Sequence, residues 1–265
     1  MLRSAVLIAV TFAASPALAG ATAWQEISPG VKARLISSDS VSNGVTLAGL
    51  ELDMPQTTNT YWRIPGESGI PTEFSFAGST GVVDAVVQWP FPEIATTAGY
   101  RDYVYRGPVV FPIELRTNGG GILKAAITLG ICSEVCVPAR ASFTLPVGGG
   151  KADPEQSIRL DQAEAATPIA WDRPGQPVAS VRATPDGLAV GGLDASVDPK
   201  TLIADVGDPS ILFETPQKSP DGSLWTLKLL GGAGGNKLEG RAVQLTFMTP
   251  NGPYVVSREI APASR

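Results

Sequence analysis

Short runs of β-forming residues, each ended by a turn signal, recur along the whole chain and limit the folds that it can adopt. Val, Ile, Thr and Phe dominate these runs, and the breaks between them contain Gly, Pro, Asn or Asp. The chain has 29 Gly and 23 Pro, and this pattern indicates antiparallel β-structure. We predict an all-β protein with two antiparallel β-sandwich domains joined by a short helix, because the length suits two units of about 100 residues.

The boundary between the two predicted domains lies at three consecutive glycines that are followed by a helical pattern. Asp153 can cap a helix with Pro154 at its first position and Gln156 reaching back to the cap. Pro168 stops this helix, which we expect over about residues 154–166. The predicted organisation is therefore a first domain over 20–150, a helical linker over 151–168 and a second domain over 169–265.

The second predicted domain repeats the pattern of strands and turns but lacks cysteines and any cluster of converging polar residues. Pro and Asp or Asn before Gly are strong turn signals. We therefore predict a packing or docking module rather than a second active site. The turns are expected at Pro185-Asp186-Gly187, Pro220-Asp221-Gly222 and Asn251-Gly252.

The first 19 residues have the organisation of a secretory signal peptide. Arg3 precedes an apolar run from Ala5 to Ala14, and Ala17-Leu18-Ala19 has the small-x-small pattern that signal peptidase cuts. The run is shorter than the roughly 20 apolar residues that a membrane span needs. We predict cleavage near Ala19, a mature chain that starts near Gly20, and a soluble product outside the cytoplasm with no membrane span of its own.

The charge balance argues against nucleic acid as a partner. The chain has 20 Lys+Arg against 25 Asp+Glu, a net charge of −5, and no basic cluster that could follow a phosphate backbone. An exported chain folds where disulfides form and persist. The only two cysteines, Cys132 and Cys136, therefore have the opportunity to pair.

The two cysteines lie between two strand-like segments, with Ser133-Glu134-Val135 between them. Side chains alternate along a strand, which puts Cys132 opposite the apolar face of the first segment. Cys136 shares the more polar face of the second segment with Arg140. We therefore expect both sulfurs to point away from the sandwich core. A three-residue hairpin loop would place the two cysteines opposite each other, within bonding range.

Three uses of such a pair remain open from the residues alone: a redox-active couple, a structural staple and a metal clip. Closing a five-residue ring stabilises a fold by only about 2 kcal/mol, against about 4 kcal/mol or more for a long loop. Labile disulfides also occur in short exposed loops, so a redox couple is favoured. The chain has no His, so zinc would need carboxylate ligands, while Cu(I) could use the two thiolates with Met54 or Met248.

Four segments follow one another in the order and spacing of a known family. Over about residues 25–150 the chain resembles the N-terminal periplasmic domain of the thiol:disulfide interchange protein DsbD and of its copper-tolerance relative ScsB. The second domain resembles the region that follows in ScsB-like proteins, and the close cysteine spacing resembles the same branch. The segments are TYWRIPGESGIPTEF (Thr60–Phe74), VVQWPFPE (Val86–Glu93), YVYRGPVVFPIEL (Tyr103–Leu115) and CSEVCVPARASFTL (Cys132–Leu145).

The resemblance implies an immunoglobulin-like fold for the two antiparallel β-sandwich domains and a periplasmic location. It also implies a protein-disulfide reductase component that works by thiol exchange. Its cysteine pair, Cys132 and Cys136 here, would take electrons from a membrane-embedded thiol reductase and pass them to periplasmic thioredoxin-like proteins, with no cofactor and no metal. Full-length relatives continue into membrane and thioredoxin-like domains, so for this chain we expect a separate protein as the electron donor. The competing hypothesis is a non-enzymatic binding or adaptor module with a permanent disulfide.

The resemblance also implies a cap loop over the cysteines that carries an aromatic and an acidic residue. By position this is the segment after Trp89, which makes Phe91 a candidate lid and Glu93 a candidate proton acceptor. Because the chain has no His, thiolate formation depends on exposure and nearby positive charge, and Arg140 is the nearest candidate in sequence. Non-functional alternatives stay open for these residues. Phe91 could pack at the rim of the sandwich, and Glu93 could be a solvated loop charge. Structural roles are equally open for Tyr61-Trp62-Arg63.

Overall fold

The computed structural model describes residues 20–97, 99–231 and 234–263, so the signal peptide predicted over 1–19 lies outside the described residues. Strands dominate the described chain, and nearly all of them pair in antiparallel fashion, which confirms the predicted all-β class. None of the helices in these ranges is long and apolar enough to cross a membrane.

The first half contains β1 (Gln25–Ser28), β2 (Val31–Ser42), β3 (Val45–Asp53), β4 (Asn59–Gly66), β5 (Glu73–Ser75), β6 (Thr80–Val87), β7 (Glu93–Thr97), β8 (Tyr100–Arg106), β9 (Val109–Cys132) and β10 (Cys136–Val147).

Strand β9 organises the first half because it is 24 residues long and pairs with five other strands. Its first part lies between β3 and β6, and its second part lies between β10 and β5. Gly119 and Gly120, with φ of 87° and 110°, separate the two parts, and a positive φ is a conformation that glycine adopts at little cost. Through β9, ten strands form one hydrogen-bonded sheet around a single main core.

The predicted apolar faces of β9 and β10 line this main core. The alternating residues of both strands are buried there together with Trp62 and Phe111, whereas Cys132 is outside this cluster. The alternation expected from the sequence is thus confirmed. The core-facing residues are Ala125, Ile127, Leu129 and Ile131 on β9, and Ala141, Phe143, Leu145 and Val147 on β10.

The predicted helix, α1 (Pro154–Ala165), follows β10, and Asp153 caps it by accepting from the backbone N–H groups of residues 155 and 156. Gln156 does not reach back, so that expectation is wrong: the Asp153 N–H donates to the Ser38 carbonyl at 3.1 Å instead, and this bond takes the donor that Gln156 would have used. Leu160 is fully buried against Ile36. The helix therefore packs against the first sheet rather than only bridging two units.

The second half has two four-stranded sheets, with strand orders β11-β18-β17-β14 and β12-β13-β16-β15, around a core of its own. The three predicted turns occur at the expected positions, between β12 and β13, between β15 and β16, and between β17 and β18. The strands are β11 (Ile169–Ala170), β12 (Val178–Thr184), β13 (Gly187–Leu193), β14 (Ile203–Asp205), β15 (Gln217–Lys218), β16 (Leu224–Lys228), β17 (Ala242–Thr249) and β18 (Gly252–Glu259).

The second half contacts the first through strand β4. The Arg63 guanidinium donates to the Asp205 carboxylate of β14 and, at 2.8 Å, to Gln244 Oε1 of β17. Ile203 of β14 is buried as part of the main core. Arg63 therefore has the structural role that the sequence left open for it.

Candidate functional site

The two cysteines form a disulfide at the end of a β-hairpin. Cys132 ends β9 and Cys136 begins β10, and the two residues are directly opposite each other in the strand register. Their Cα atoms are 4.0 Å apart, close to the spacing of a non-hydrogen-bonded antiparallel pair. The three-residue hairpin loop predicted from the spacing is confirmed.

The two sulfurs occupy unequal environments. Cys136 is exposed, whereas Cys132 is only 4% exposed and belongs to a small apolar cluster with Tyr61, Ala95 and Val104. This cluster lies apart from the main core, so the prediction that Cys132 points away from that core is confirmed, although other strands cover the residue. Alternation shows which face a residue occupies and does not show whether other strands cover that face.

Strand β4 brings a tyrosine hydroxyl onto the disulfide. Asn59 is the cross-strand neighbour of Cys132, so it shares a sheet face with that cysteine, and Tyr61 lies two residues further along the same face. The Tyr61 hydroxyl is 2.9 Å from Cys132 Sγ and 3.5 Å from Cys136 Sγ. Tyr61 thus contacts both sulfurs, which the sequence had not indicated.

Two glycines fix the ring of Tyr61. A Cβ built on Gly130 would lie 3.0 Å from Tyr61 Cδ2, and one on Gly69 would lie 2.5 Å from Tyr61 Cδ1. A side chain at either position would displace the ring, because such separations are shorter than van der Waals contact. The Thr72 hydroxyl donates to the Tyr61 carbonyl at 2.9 Å. The ring and backbone of Tyr61 are therefore both held in place.

A buried carboxylate supports this arrangement. Asp102, on β8, is 6% exposed and accepts hydrogen bonds from the Ser68 N–H at 2.9 Å and the Ser68 hydroxyl at 2.5 Å. Burial raises the pKa of the Tyr61 phenol above its ordinary value of 10.0, and the negative charge of Asp102 raises this pKa further. Tyr61 is therefore protonated at neutral pH and can donate a hydrogen bond to a thiolate.

Phe91 and Glu93 have different surroundings. Phe91 packs against the main core, and its backbone N–H donates to the Ala166 carbonyl at the end of α1, at 2.8 Å. Glu93 begins β7, is exposed and pairs with Arg106 at 3.2 Å. It is the cross-strand neighbour of Val104, which belongs to the apolar cluster around Cys132. Glu93 therefore lies on the same sheet face as Cys132. The structure thus brings Glu93, and not Phe91, to the side of the disulfide.

Arg140 lies on β10 opposite Thr128 and is exposed. Four residues of extended strand put its Cα about 13 Å from that of Cys136. Exposed charges at such a separation are largely screened at physiological salt. Arg140 is therefore too far along the strand to contact the disulfide directly.

The methionines considered for Cu(I) lie elsewhere. Met54 is buried in the main core, and Met248 lies on β17 in the second half. Neither belongs to the cluster around Cys132. In the described ranges, no group of three or more Cys, Asp or Glu side chains is arranged to hold a metal ion.

The hairpin and the strands that cover it fall within one segment of the chain that is similar to known proteins. Residues 30–148 match the family model described as "Thiol:disulfide interchange protein DsbD, N-terminal". The match confirms the resemblance inferred from the sequence. The DsbD-like segment includes Tyr61, Asp102 and both cysteines, so the whole site lies inside it.

The fold is also similar to a solved structure, the crystal structure of the N-terminal periplasmic domain of ScsB from Proteus mirabilis. The TM-score is 0.72 at 24% identity, and the match covers 93% of this chain and 100% of the other. This similarity establishes the fold, with an immunoglobulin-like β-sandwich in the DsbD-like segment, and it extends well into the second half. Comparison with curated protein sequences gives no match.

The family match and the closely spaced cysteine pair together indicate that the DsbD-like segment is a thiol-disulfide exchange module. Two groups at its disulfide were missed by sequence reasoning. For Tyr61 only a structural role was considered, and Asp102 was not singled out. The TYWRIPGES segment carried a signal for Tyr61, because it belongs to the motifs that resemble the family.

We predict that Tyr61→Phe slows reduction of the disulfide about tenfold, because a hydrogen bond to a charged group is worth about 1.5 kcal/mol or more. Phe keeps the ring between its two glycines and removes only the hydroxyl that would stabilise the Cys132 thiolate as it leaves. Stopped-flow reduction by dithiothreitol measures the rate. Tyr105→Phe is the matched control, because its hydroxyl donates to the Pro90 carbonyl. Equal rates in both variants would rule out a role for the Tyr61 hydroxyl.

Proposed function

We propose that the protein is a periplasmic thiol-disulfide exchange protein. Its Cys132–Cys136 disulfide takes electrons from a membrane-embedded thiol reductase and passes them to periplasmic thioredoxin-like proteins. The observation that supports this most strongly is the asymmetry of the disulfide: one sulfur faces solvent, while the other is buried beside the Tyr61 hydroxyl. An exchange reaction needs one sulfur open to attack and one sulfur that leaves as a stabilised thiolate.

Reduction of the disulfide begins at the exposed sulfur. A donor thiolate attacks Cys136 Sγ, a new sulfur–sulfur bond forms to the donor, and the Cys132–Cys136 bond breaks. Cys132 leaves with the electron pair as a thiolate and accepts the hydrogen bond of Tyr61. A second donor thiolate then attacks the first donor sulfur, which releases Cys136 and leaves the donor oxidised and this protein reduced.

Delivery of electrons follows the same chemistry in reverse. The Cys136 thiolate attacks the disulfide of a thioredoxin-like acceptor and forms a mixed disulfide with it. The Cys132 thiolate, held next to Cys136 by the hairpin, then attacks Cys136 Sγ and displaces the reduced acceptor. In this scheme Cys136 is the residue that bonds to partners, and Cys132 is the resolving residue.

The surface around Cys136 suits a protein partner. Val135, at the hairpin tip, is 70% exposed, and Val137 is 41% exposed. These apolar residues lie immediately before and after Cys136 in the chain, and exposed apolar groups of this kind are common where proteins dock. A docked partner would exclude water from the mixed disulfide.

Placement in the periplasm rests on the signal-peptide pattern of residues 1–19 and on the type of family that the chain matches. Burial of Cys132 would also suit a second candidate function, an adaptor with a permanent structural disulfide, because inert cysteines are commonly buried. The exposure of Cys136 favours exchange, since a permanent bridge has no need of an accessible sulfur.

We predict that Cys132→Ser accumulates a covalent adduct with a thioredoxin-like acceptor, because the mixed disulfide at Cys136 can no longer be resolved by Cys132. The variant is expressed with export in the source cell, free thiols are blocked in acid, and diagonal gels with mass spectrometry identify the partner. Cys136→Ser is the matched control, and its buried remaining thiol should trap several times less. Well-exported Cys132→Ser that traps no thioredoxin-like protein would favour the adaptor.

A further inference from the structure

The start of the described chain is held firmly in the fold. Gly20 and Ala21 are buried, and the Ser37 N–H donates to the Gly20 carbonyl at 2.6 Å. Ala21 forms an antiparallel bridge with Ile36 of β2. The backbone position of Gly20 is therefore set by the first sheet.

The carboxylate of Asp153 faces Gly20. A Cβ built on Gly20 would lie 2.8 Å from Asp153 Oδ2, so the amino nitrogen, which is bonded to the same Cα, is within about 5 Å of that oxygen. The other oxygen, Oδ1, caps α1 by accepting from the N–H groups of Glu155 and Gln156 at 3.1 and 3.2 Å. Asp153 thus uses one oxygen for the helix and presents the other to Gly20.

A second carboxylate, that of Asp39, lines a cavity together with Gly20. Asp39 is only 8% exposed, has a positive φ of 51°, and lines with Gly20 and Gly150 a cavity of about 510 Å³. Its Oδ1 accepts from the Ser37 hydroxyl and the Gly148 N–H. Within residues 20–97, 99–231 and 234–263, neither carboxylate forms an ion pair with Lys or Arg. A carboxylate buried to this degree is best stabilised by a positive partner.

We propose that Asp153 and Asp39 form the binding site for the mature amino terminus, created when signal peptidase cuts between Ala19 and Gly20. Hydrolysis of that peptide bond consumes one water molecule. It leaves a carboxylate on Ala19 of the released peptide and an ammonium group on Gly20. The uncharged amide nitrogen of the precursor thereby becomes a cation within about 5 Å of the Asp153 carboxylate, and opposite charges at such a separation attract strongly. The Asp39 carboxylate lines the same cavity.

The geometry also explains why glycine stands at this position. Gly20 has φ of 82°, a conformation that other residues rarely adopt. A side chain there would meet Asp153 Oδ2 at 2.8 Å and the Ser37 carbonyl oxygen at 3.0 Å. Processing at this bond would therefore add a stabilising ion pair to the fold. The inference is independent of the redox activity.

The test compares two mature chains, one that begins at Gly20 and one that begins at Ala17, in which the ammonium group is moved by three residues. Asp153→Asn is made in both, because Asn caps a helix as well as Asp does and removes only the charge. Asp161→Asn, an exposed position of the same helix, is the matched control. Urea unfolding gives the equilibrium constants, and mass spectrometry of the exported protein gives its first residue.

We expect Gly20 as the first residue of the exported protein. Asp153→Asn should raise the unfolding constant about tenfold in the chain that begins at Gly20 and less than twofold in the longer chain. Asp161→Asn should change the unfolding constant equally in the two chains. If Asp153→Asn does not fold, Asp39→Asn takes its place, with the same expected pattern. A different first residue, or equal effects of the tested variant in the two chains, would overturn the proposal.

Discussion

Replacing both cysteines by serine should abolish electron transfer completely and cost no more than about 2 kcal/mol in the free energy of unfolding. No other thiol can take part in the exchange reaction, because these are the only two cysteines. The stability cost is small because the disulfide closes a ring of only five residues, for which loop entropy gives about 2 kcal/mol. The continuous pairing of β9 with β10, from Gly121 to Cys132, holds the hairpin without the bond.

A serine at position 132 is also tolerated for a local reason. Its hydroxyl would replace a sulfur that lies 2.9 Å from the Tyr61 hydroxyl, so the new polar group has a hydrogen-bond partner in its buried site. Electron transfer is measured with reduced thioredoxin as the donor, and stability by urea unfolding. Reduced wild-type protein, which has both side chains but no bond, is the control. A loss of about 4 kcal/mol or more would show that the bridge holds the domain together.

The second large effect concerns the two thiols of the reduced protein. We expect iodoacetamide to alkylate Cys136 about a hundredfold faster than Cys132, because alkylation needs an accessible thiolate. Cys136 is exposed, whereas Cys132 is 4% exposed beneath Tyr61, Ala95 and Val104. Mass spectrometry of peptides after timed quenching gives both rates in one experiment.

The same reaction in urea is the control, because unfolding removes the cover of Cys132 and the two rates should then agree within a few fold. Similar rates in the folded protein, or a faster reaction at Cys132, would contradict the assignment of Cys136 as the residue that partners attack.

The hairpin could be predicted from the sequence because everything that defines it is local. Alternation of apolar residues on both sides of Cys132 and Cys136 gave the strands, and three intervening residues gave the turn. Tyr61 is 71 residues away from Cys132. Their contact depends on strand β4 meeting β9 at a single register pair, Asn59 with Cys132. Register between distant strands is set by the assembled sheets, so local patterns did not reveal it.

The burial of Cys132 and the contacts between distant elements could not be predicted for the same reason. Asp153 and the helix that follows it could be predicted from capping chemistry, but packing of that helix on the first sheet depends on its two buried side chains, Gln156 and Leu160. The contact of Arg63 with Asp205 spans 142 residues. Cap residues and turns act within a few positions, whereas the cover over Cys132 is supplied by three strands from elsewhere in the chain.

The reduction potential of the purified mature protein tests the central proposal most directly. Equilibration with thioredoxin and glutathione redox buffers, followed by mass-tagging of free thiols, gives the fraction of Cys132–Cys136 that is reduced. A working exchange couple should lie between about −180 and −270 mV, the range of protein disulfide isomerase and thioredoxin. A potential below about −300 mV, typical of structural bridges in secreted proteins, would contradict the exchange function.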